Sequence, residues 1–293
     1  MTRCACKVLC IFLAMTAALL MLYTVVRAAE NDSQDIVGNV PIFLAAVTDP
    51  PATISETDLG DVTADAVRVA LGADIVILNG GDFVNNLDSG AATYAAIRSL
   101  FIEDRELATA RVTYRQLGRL LEQAVSHTVL DPGTDNMDKK KSSFGGFPQI
   151  SGLEIKYDVS ARAGKKIVYV KYGGQELDLQ DDASTISLGA TAYMFGGGYD
   201  MPMVDPYTHS GITMAQALAD YIAAQGDNIA PANDSGIFGN NARINSIGTA
   251  DNTIISFLPK GFLAGIIAVL IVLGGIVAIR GRKLKLKDDD PFS

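Results

Sequence analysis

Cysteine and histidine are scarce in this sequence, and each scarcity removes a class of chemistry. All three cysteines, Cys4, Cys6 and Cys10, precede the first long apolar run. A chain processed after that run keeps no thiol, so neither a disulfide framework nor a cysteine nucleophile is expected. The two histidines, His127 and His209, lie far apart and outside any H-E-x-x-H pattern. Zinc or dinuclear metal hydrolysis needs more imidazole than that. A hydrolase of another kind lacks its marks as well, since there is no G-x-S-x-G turn and no Walker loop. Basic charge is short too. Residues 30–257 carry 15 Lys and Arg against 30 Asp and Glu, a net charge of −15, where the whole chain has −9. Such a surface suits neither the phosphate backbone of nucleic acid nor anionic lipid heads.

The residues that are present speak first at the two ends. The 293 residues are 48% apolar and 19% charged, the balance of a folded protein, but both termini inflate the apolar share. Residues 1–29 read as a signal peptide: Arg3 and Lys7 open it, residues 8–26 are apolar, and Val26-Arg27-Ala28 offers small residues for cleavage. The run is also long enough to stay as an uncleaved anchor, and the domain after it has the same topology in either case. Residues 261–279 are uncharged over the length of a transmembrane helix, and Arg280, Arg282, Lys283, Lys285 and Lys287 come directly after. By the positive-inside rule the tail, residues 280–293, is cytoplasmic and the main domain lies outside the plasma membrane, anchored by one helix.

Between the ends, residues 30–54 carry Asp49-Pro50-Pro51 and read as a lead-in segment, with folding expected to start near Ser55. Thr57 or Asp58 caps a helix with Val62, Ala66, Val69 and Ala70 at helical spacing, and Gly72 stops it. The apolar run 75–78 predicts a buried strand ending in Asn79-Gly80-Gly81, a turn where backbone can approach a ligand. A second helix over 114–126 places Leu117, Leu120, Leu121 and Val125 in one stripe. Residues 131–146, with Lys139-Lys140-Lys141, read as an exposed, solvated loop. Strands at 153–157, 167–172 and 185–188 come next, then a glycine-rich loop at 195–199. A last helix at 213–225 buries Met214, Leu218, Tyr221 and Ile222. Helices and strands mixed without strict βαβ alternation predict an α+β fold with helices layered on sheet. The domain is bounded as residues 55–248, with 249–260 a juxtamembrane linker.

Four ordered stretches carry a resemblance. Ser55-Glu56-Thr57-Asp58-Leu59-Gly60-Asp61, with Ala64-Asp65-Ala66 behind it, resembles the E-S-x-L-G-N-x-x-A-D-A opening of the 5′-nucleotidase C-terminal domain family. Gly72-Ala73-Asp74-Ile75 leading to Asn79-Gly80-Gly81 resembles its G-A-D-I…N-G-G stretch. Phe147-Pro148-Gln149-Ile150-Ser151-Gly152 resembles F-P-Q-V-S-G, and Tyr193 followed by Gly196-Gly197-Gly198-Tyr199 resembles the N-D-Y/F…G-G-D-G-Y/F loop. The closing Arg243-Ile244 also fits, so the similarity runs from Ser55 to Ile247. It implies a layered α-β-β-α sandwich that grips the base and ribose of a nucleotide. In the family a separate N-terminal metallophosphatase domain holds two metal ions and performs the hydrolysis. The D-x-H and G-N-H-E motifs of that domain are absent from this sequence, so no cofactor is expected in this chain, and a dinuclear metal only in a separate partner.

The resemblance also implies a base stacked between two aromatic rings. Tyr193 falls at one ring position, whereas Glu103 stands at the other. Val84 replaces the arginine two residues beyond the family's N-G-G-G, Thr191-Ala192 replace an N-D pair, and the glycine loop is shorter and lacks its aspartate. The candidate substrate-binding residues are Asn79, Gly80, Gly81, Tyr193, Phe195 and Tyr199, with no catalytic and no metal-ligating residue. Phe195 offers a replacement ring, and the alternative is that all three aromatics pack beneath the loop. Two functions stand side by side. One is a membrane-anchored recognition module for a nucleoside or nucleotide, acting with a separately encoded metallophosphatase. The other is a non-catalytic structural or interaction protein with a degenerate ligand site.

Overall fold

Thr57 sits in extended backbone and its side chain accepts the Gly60 amide, which starts the helix α1 (Asp58–Leu71) with Asp58 and Asp61 in its first turn. Gly72 ends it in left-handed conformation, where a Cβ would be disfavoured. The computed structural model describes residues 35–225 and 243–248. Every residue from Leu59 to Val67 is buried. Val69 and Ala70, expected on the apolar stripe, are exposed instead, Val69 at 65%, while Leu71 packs on the first core.

The strand after α1 divides the interior. In β2 (Ile75–Asn79) all five residues are buried, Val76 and Leu78 in one core and Ile75 and Ile77 in another. That alternation is the period-2 geometry of a strand enclosed on both faces. β2 pairs antiparallel with β5 (Pro148–Ser151) and parallel with β9 (Thr185–Thr191). β4 (Glu106–Thr113) and the edge strand β10 (Thr208–Thr213) complete a five-stranded sheet of order β10-β4-β9-β2-β5. The first core lies between this sheet and the helices α1 and α6 (Met214–Gln225). The second lies between its other face and a four-stranded sheet of order β11-β6-β7-β8. Those strands are β6 (Glu154–Asp158), β7 (Ile167–Tyr172), β8 (Gln175–Glu176) and β11 (Ile244–Ile247). Helix α3 (Tyr114–Ala124) adds Leu117, Leu120 and Leu121 to this second core, and a capping box between Thr113 and Gln116 fixes its start.

Three expectations need correction. The lead-in is part of the fold: β1 (Ile36–Val40) pairs with β3 (Gly90–Thr93), ahead of the short helix α2 (Tyr94–Arg98). Val40, Leu44, Ala46 and Ala52 are all buried in the first core, held there by partners far along the chain. β4 joins the expected strands although its Ala108 and Ala110 have little intrinsic preference for strand; burial in the second core decides their state. The 131–146 loop is exposed at its lysines but contains α4 (Lys139–Ser142), whose Ser142 is buried and hydrogen-bonded to Val129. Lys139 ties this loop to Asp49 at 2.8 Å. The expected signal peptide, residues 1–29, and the expected transmembrane helix, residues 261–279, lie outside the described residues. Among the described residues no helix is long and apolar enough to cross a membrane.

A polar knot joins the motifs. The Arg243 guanidinium, buried, donates to the Ile150 carbonyl at 2.7 Å and pairs with Asp65 at 2.8 Å. Asp65 also accepts the Ser151 hydroxyl at 2.6 Å, and the Glu56 carboxylate accepts the amides of Arg243 and Ile244 at 3.1 and 3.0 Å. The Gln149 amide spans the gap, donating to the carbonyls of Ala52 and Ser55 and accepting from Thr57. Gly60 is required beneath it, since a Cβ there would be driven into the Gln149 side chain. Asp61 is fully buried beside Glu56 and Arg243. Burial, then the Glu56 charge, holds Asp61 well above the usual carboxylate range. Burial raises Glu56 as well, against the two backbone donors that favour its charged form.

The knot has two measurable consequences. Gly60→Ala should lower unfolding free energy by about 1–3 kcal/mol in denaturant titration through overpacking; an unchanged midpoint would remove Gln149 from its assigned place. The raised Asp61 pKa means that the folded state binds the proton more tightly than the unfolded one. Stability from this group is therefore full below its unfolded value near 4 and is lost as pH rises through the folded value. Asp61→Asn, which keeps the shape without the charge, should be more stable than wild type at pH 8 by roughly 1–3 kcal/mol, with the gap closing toward pH 4. A pH-independent gap would contradict this assignment.

Candidate functional site

β2 ends in a single 3₁₀ turn, Gly80–Asp82, which faces the glycine loop after β9. Thr191 closes β9 and accepts the Met194 amide at 3.1 Å, which starts the one-turn helix α5 (Ala192–Phe195). Tyr199 and Asp200 then adopt φ of 54° and 56°, left-handed values that non-glycine residues seldom take. This bend lays the Tyr199 ring on Gly81 and Gly145, and a Cβ on either glycine would overlap it. Tyr193 meets Tyr199 edge to face, with centroids 5.3 Å apart.

The face of Tyr193 is already occupied. The guanidinium carbon of Arg105 lies 3.4 Å from the centroid of that ring. Its Nε is 2.9 Å from Oδ1 of the fully buried Asp82, and Nη2 is 3.5 Å from Glu103. The Nε–H is not aimed along the short line to Asp82, so that contact is an ion pair more than a hydrogen bond. Burial pushes the Asp82 carboxyl up to about 6 against the opposing pull of Arg105 and of the Tyr199 hydroxyl. Tyr199 is pushed up to about 12, first by burial and then by the Asp82 charge.

The predicted residues divide accordingly. Asn79, Gly80, Gly81, Tyr193 and Tyr199 are brought together. The Gly80 and Gly81 amides, expected to face a ligand, donate instead to the carbonyls of Phe147 and Gly145 at 2.7 and 2.8 Å. The Asn79 side chain is fully buried and its amide has no hydrogen-bond partner among the described residues. Phe195 is not a site residue: it is buried in the second core against Tyr207. Tyr193 is 40% exposed and is the one ring of the three that solvent reaches freely. Glu103 is largely exposed and pairs with Arg105.

A family model of the 5′-nucleotidase C-terminal domain matches residues 36–206. The chain belongs to that family. It is 23% identical over 216 residues to the trifunctional nucleotide phosphoesterase protein YfkN of Bacillus subtilis, covering 69% of this chain but 14% of that protein. Among solved structures it is similar to a 5′-nucleotidase precursor from Thermus thermophilus, with a TM-score of 0.61 at 20% identity, over 79% of this chain and 43% of that one. It is also similar to the NAD nucleotidase of Haemophilus influenzae, with a TM-score of 0.58 at 19% identity, over 80% and 42%. At these identities the structures establish the fold. The chain spans less than half the length of each relative it matches.

Two residues that matter in this 5′-nucleotidase C-terminal domain escape sequence reasoning, Asp82 and Arg105. The available signal is Asp82 itself, which stands where the family motif continues with a third glycine. A carboxylate buried at that point requires a cation, and Arg105 supplies it from the segment that begins with Glu103. The Asp82 carboxyl, followed by carbon-13 NMR in the full-length chain, should titrate with a midpoint of about 6. Arg105→Ala should move that midpoint upward, because the cation opposes the effect of burial; an unmoved midpoint would dissolve the pair.

Proposed function

We propose that this chain is an exported, membrane-anchored recognition module for a nucleoside or nucleotide in nucleotide catabolism, acting with a separate metal-bearing hydrolase. The observation that carries the reading is the joining of the Asn79-Gly80-Gly81 turn to the loop of Tyr193 and Tyr199 in a family whose relatives include named nucleotidases. The sequence supports the anchoring through residues 261–279 and the basic residues after them. A base entering this site must take the Tyr193 face from Arg105. The gain from stacking, about 1–3 kcal/mol, is then offset by the loss of a cation–π contact of similar size, so binding is weak. A second reading, a structural or interaction protein whose ligand site is closed, is favoured by the same ion pair on Tyr193.

Ligand-observed NMR with adenosine and AMP separates the two. Under the first reading, wild type binds adenosine with a Kd of roughly millimolar to high micromolar. Arg105→Ala should tighten it by about tenfold or more by freeing the ring, and Tyr193→Ala should abolish it. AMP gains no advantage, since Val84 offers its phosphate no cation and the domain is strongly acidic. Absence of adenosine binding in both wild type and Arg105→Ala would support the second reading. In parallel, the purified chain should release no phosphate from AMP with added Mn²⁺ or Zn²⁺, and turnover that survives further purification would contradict the need for a separate hydrolase.

A further inference from the structure

Helix α3 has a second face, turned away from the core. Leu117, Leu120 and Leu121 enter the core, while Arg115, Arg119 and Glu122 line the opposite side at spacings of four and three residues. That side forms one wall of a cleft of about 610 Å³, within the range of small-molecule sites. The turn joining β6 to β7, with Lys165, forms a second wall, and Leu179 with Gln180 a third. The cleft thus gathers three cations and one carboxylate in a domain with twice as many acidic as basic residues.

Two of these four charges serve the walls. Both Glu122 oxygens accept backbone amides, from Lys166 at 2.9 Å and Ile167 at 3.0 Å, which fastens the turn to the helix. Arg115 donates to the Gln180 carbonyl and lies 3.8 Å from Asp182, which fastens the third wall. Arg119 and Lys165 are left, and neither pairs with a carboxylate among the described residues. Beside them the cleft is apolar: Ile167 and Leu179 line it, and Gly118 lets Leu179 close against the helix.

We propose that this cleft binds a small organic dianion of the phosphate-monoester class, its charged group between Arg119 and Lys165 and its apolar part on Ile167 and Leu179. A guanidinium offers a planar pair of donors to phosphate oxygens, and the ammonium adds a point charge. None of Asn79, Asp82, Arg105, Tyr193 and Tyr199 lines this cleft, which Pro202, three residues past Tyr199, only borders, so the proposal does not rest on the nucleoside reading.

Phenyl phosphate, with phenol as the uncharged control, is the probe, titrated calorimetrically into the full-length chain in detergent. Saturable binding of phenyl phosphate but not phenol is expected, weakened about fivefold or more by Arg119→Gln and by Lys165→Gln, with unchanged melting temperatures. No saturation by roughly 10 mM overturns the proposal, as does equal binding by wild type and both variants. Loss of binding in Tyr193→Ala would assign the probe to the other site and overturn it too. Tighter binding of an oligoglutamate peptide than of phenyl phosphate would replace the small ligand with an acidic protein segment.

Discussion

The Arg243 guanidinium, shut away from water with Asp65, Asp61 and Glu56 around it, is the constraint on which the rest of the domain depends. A buried cation is costly unless paired and hydrogen-bonded, and here the partners come from segments far from Arg243 in the chain. Asp61 and Asp65 lie on α1, Ile150 and Ser151 on β5, and Arg243 itself stands immediately ahead of β11. The knot therefore locks the outer helix to the edge of the main sheet and brings the last strand into parallel register beside β6. Removing Arg243 or Asp65 leaves the other as an uncompensated buried charge, whereas Asp61, whose carboxyl burial holds well above the usual range, is the member that can lose its charge.

This changes what the recurring motifs mean. The acidic opening around Glu56, the Phe147-Pro148-Gln149 segment and Arg243-Ile244 carry the family resemblance in the sequence, and all three meet in the scaffold. Gln149 satisfies backbone groups on both sides of the α1 cap, and Gly60 exists to make room for it. The glycines facing the site act similarly: Gly81 and Gly145 admit the ring of Tyr199, and the amide of Gly81 is spent on a backbone carbonyl. Tyr193, by contrast, is 40% exposed, and Arg105 stacks on its face while pairing with the buried Asp82.

That pair gives the site its character. A carboxylate in the place of a glycine brings a buried charge into the turn, and the cation recruited to it stacks on the aromatic face that a base would use. With Arg105 drawn to Asp82, the face of Tyr193 is covered.

The helices α1, α3 and α6, the strands β2, β6 and β7 and the family itself are legible in the sequence, because each rests on local signals: caps, apolar periodicity, and ordered motifs. Residues whose state is set by distant partners are not. β4 is a strand because a core on one side and neighbours on both edges hold it there, and β1 is ordered because β3, much later in the chain, pairs with it. Tyr193 can be named from its motif, but that its face is covered depends on Arg105 reaching it through Asp82, and the burial of Phe195 depends on Tyr207. Which residues can carry charge, stack or turn is written in the order of the amino acids. Which of them meet is settled by the folded core alone, because desolvation and the pairing it forces exist only once the chain has closed around them.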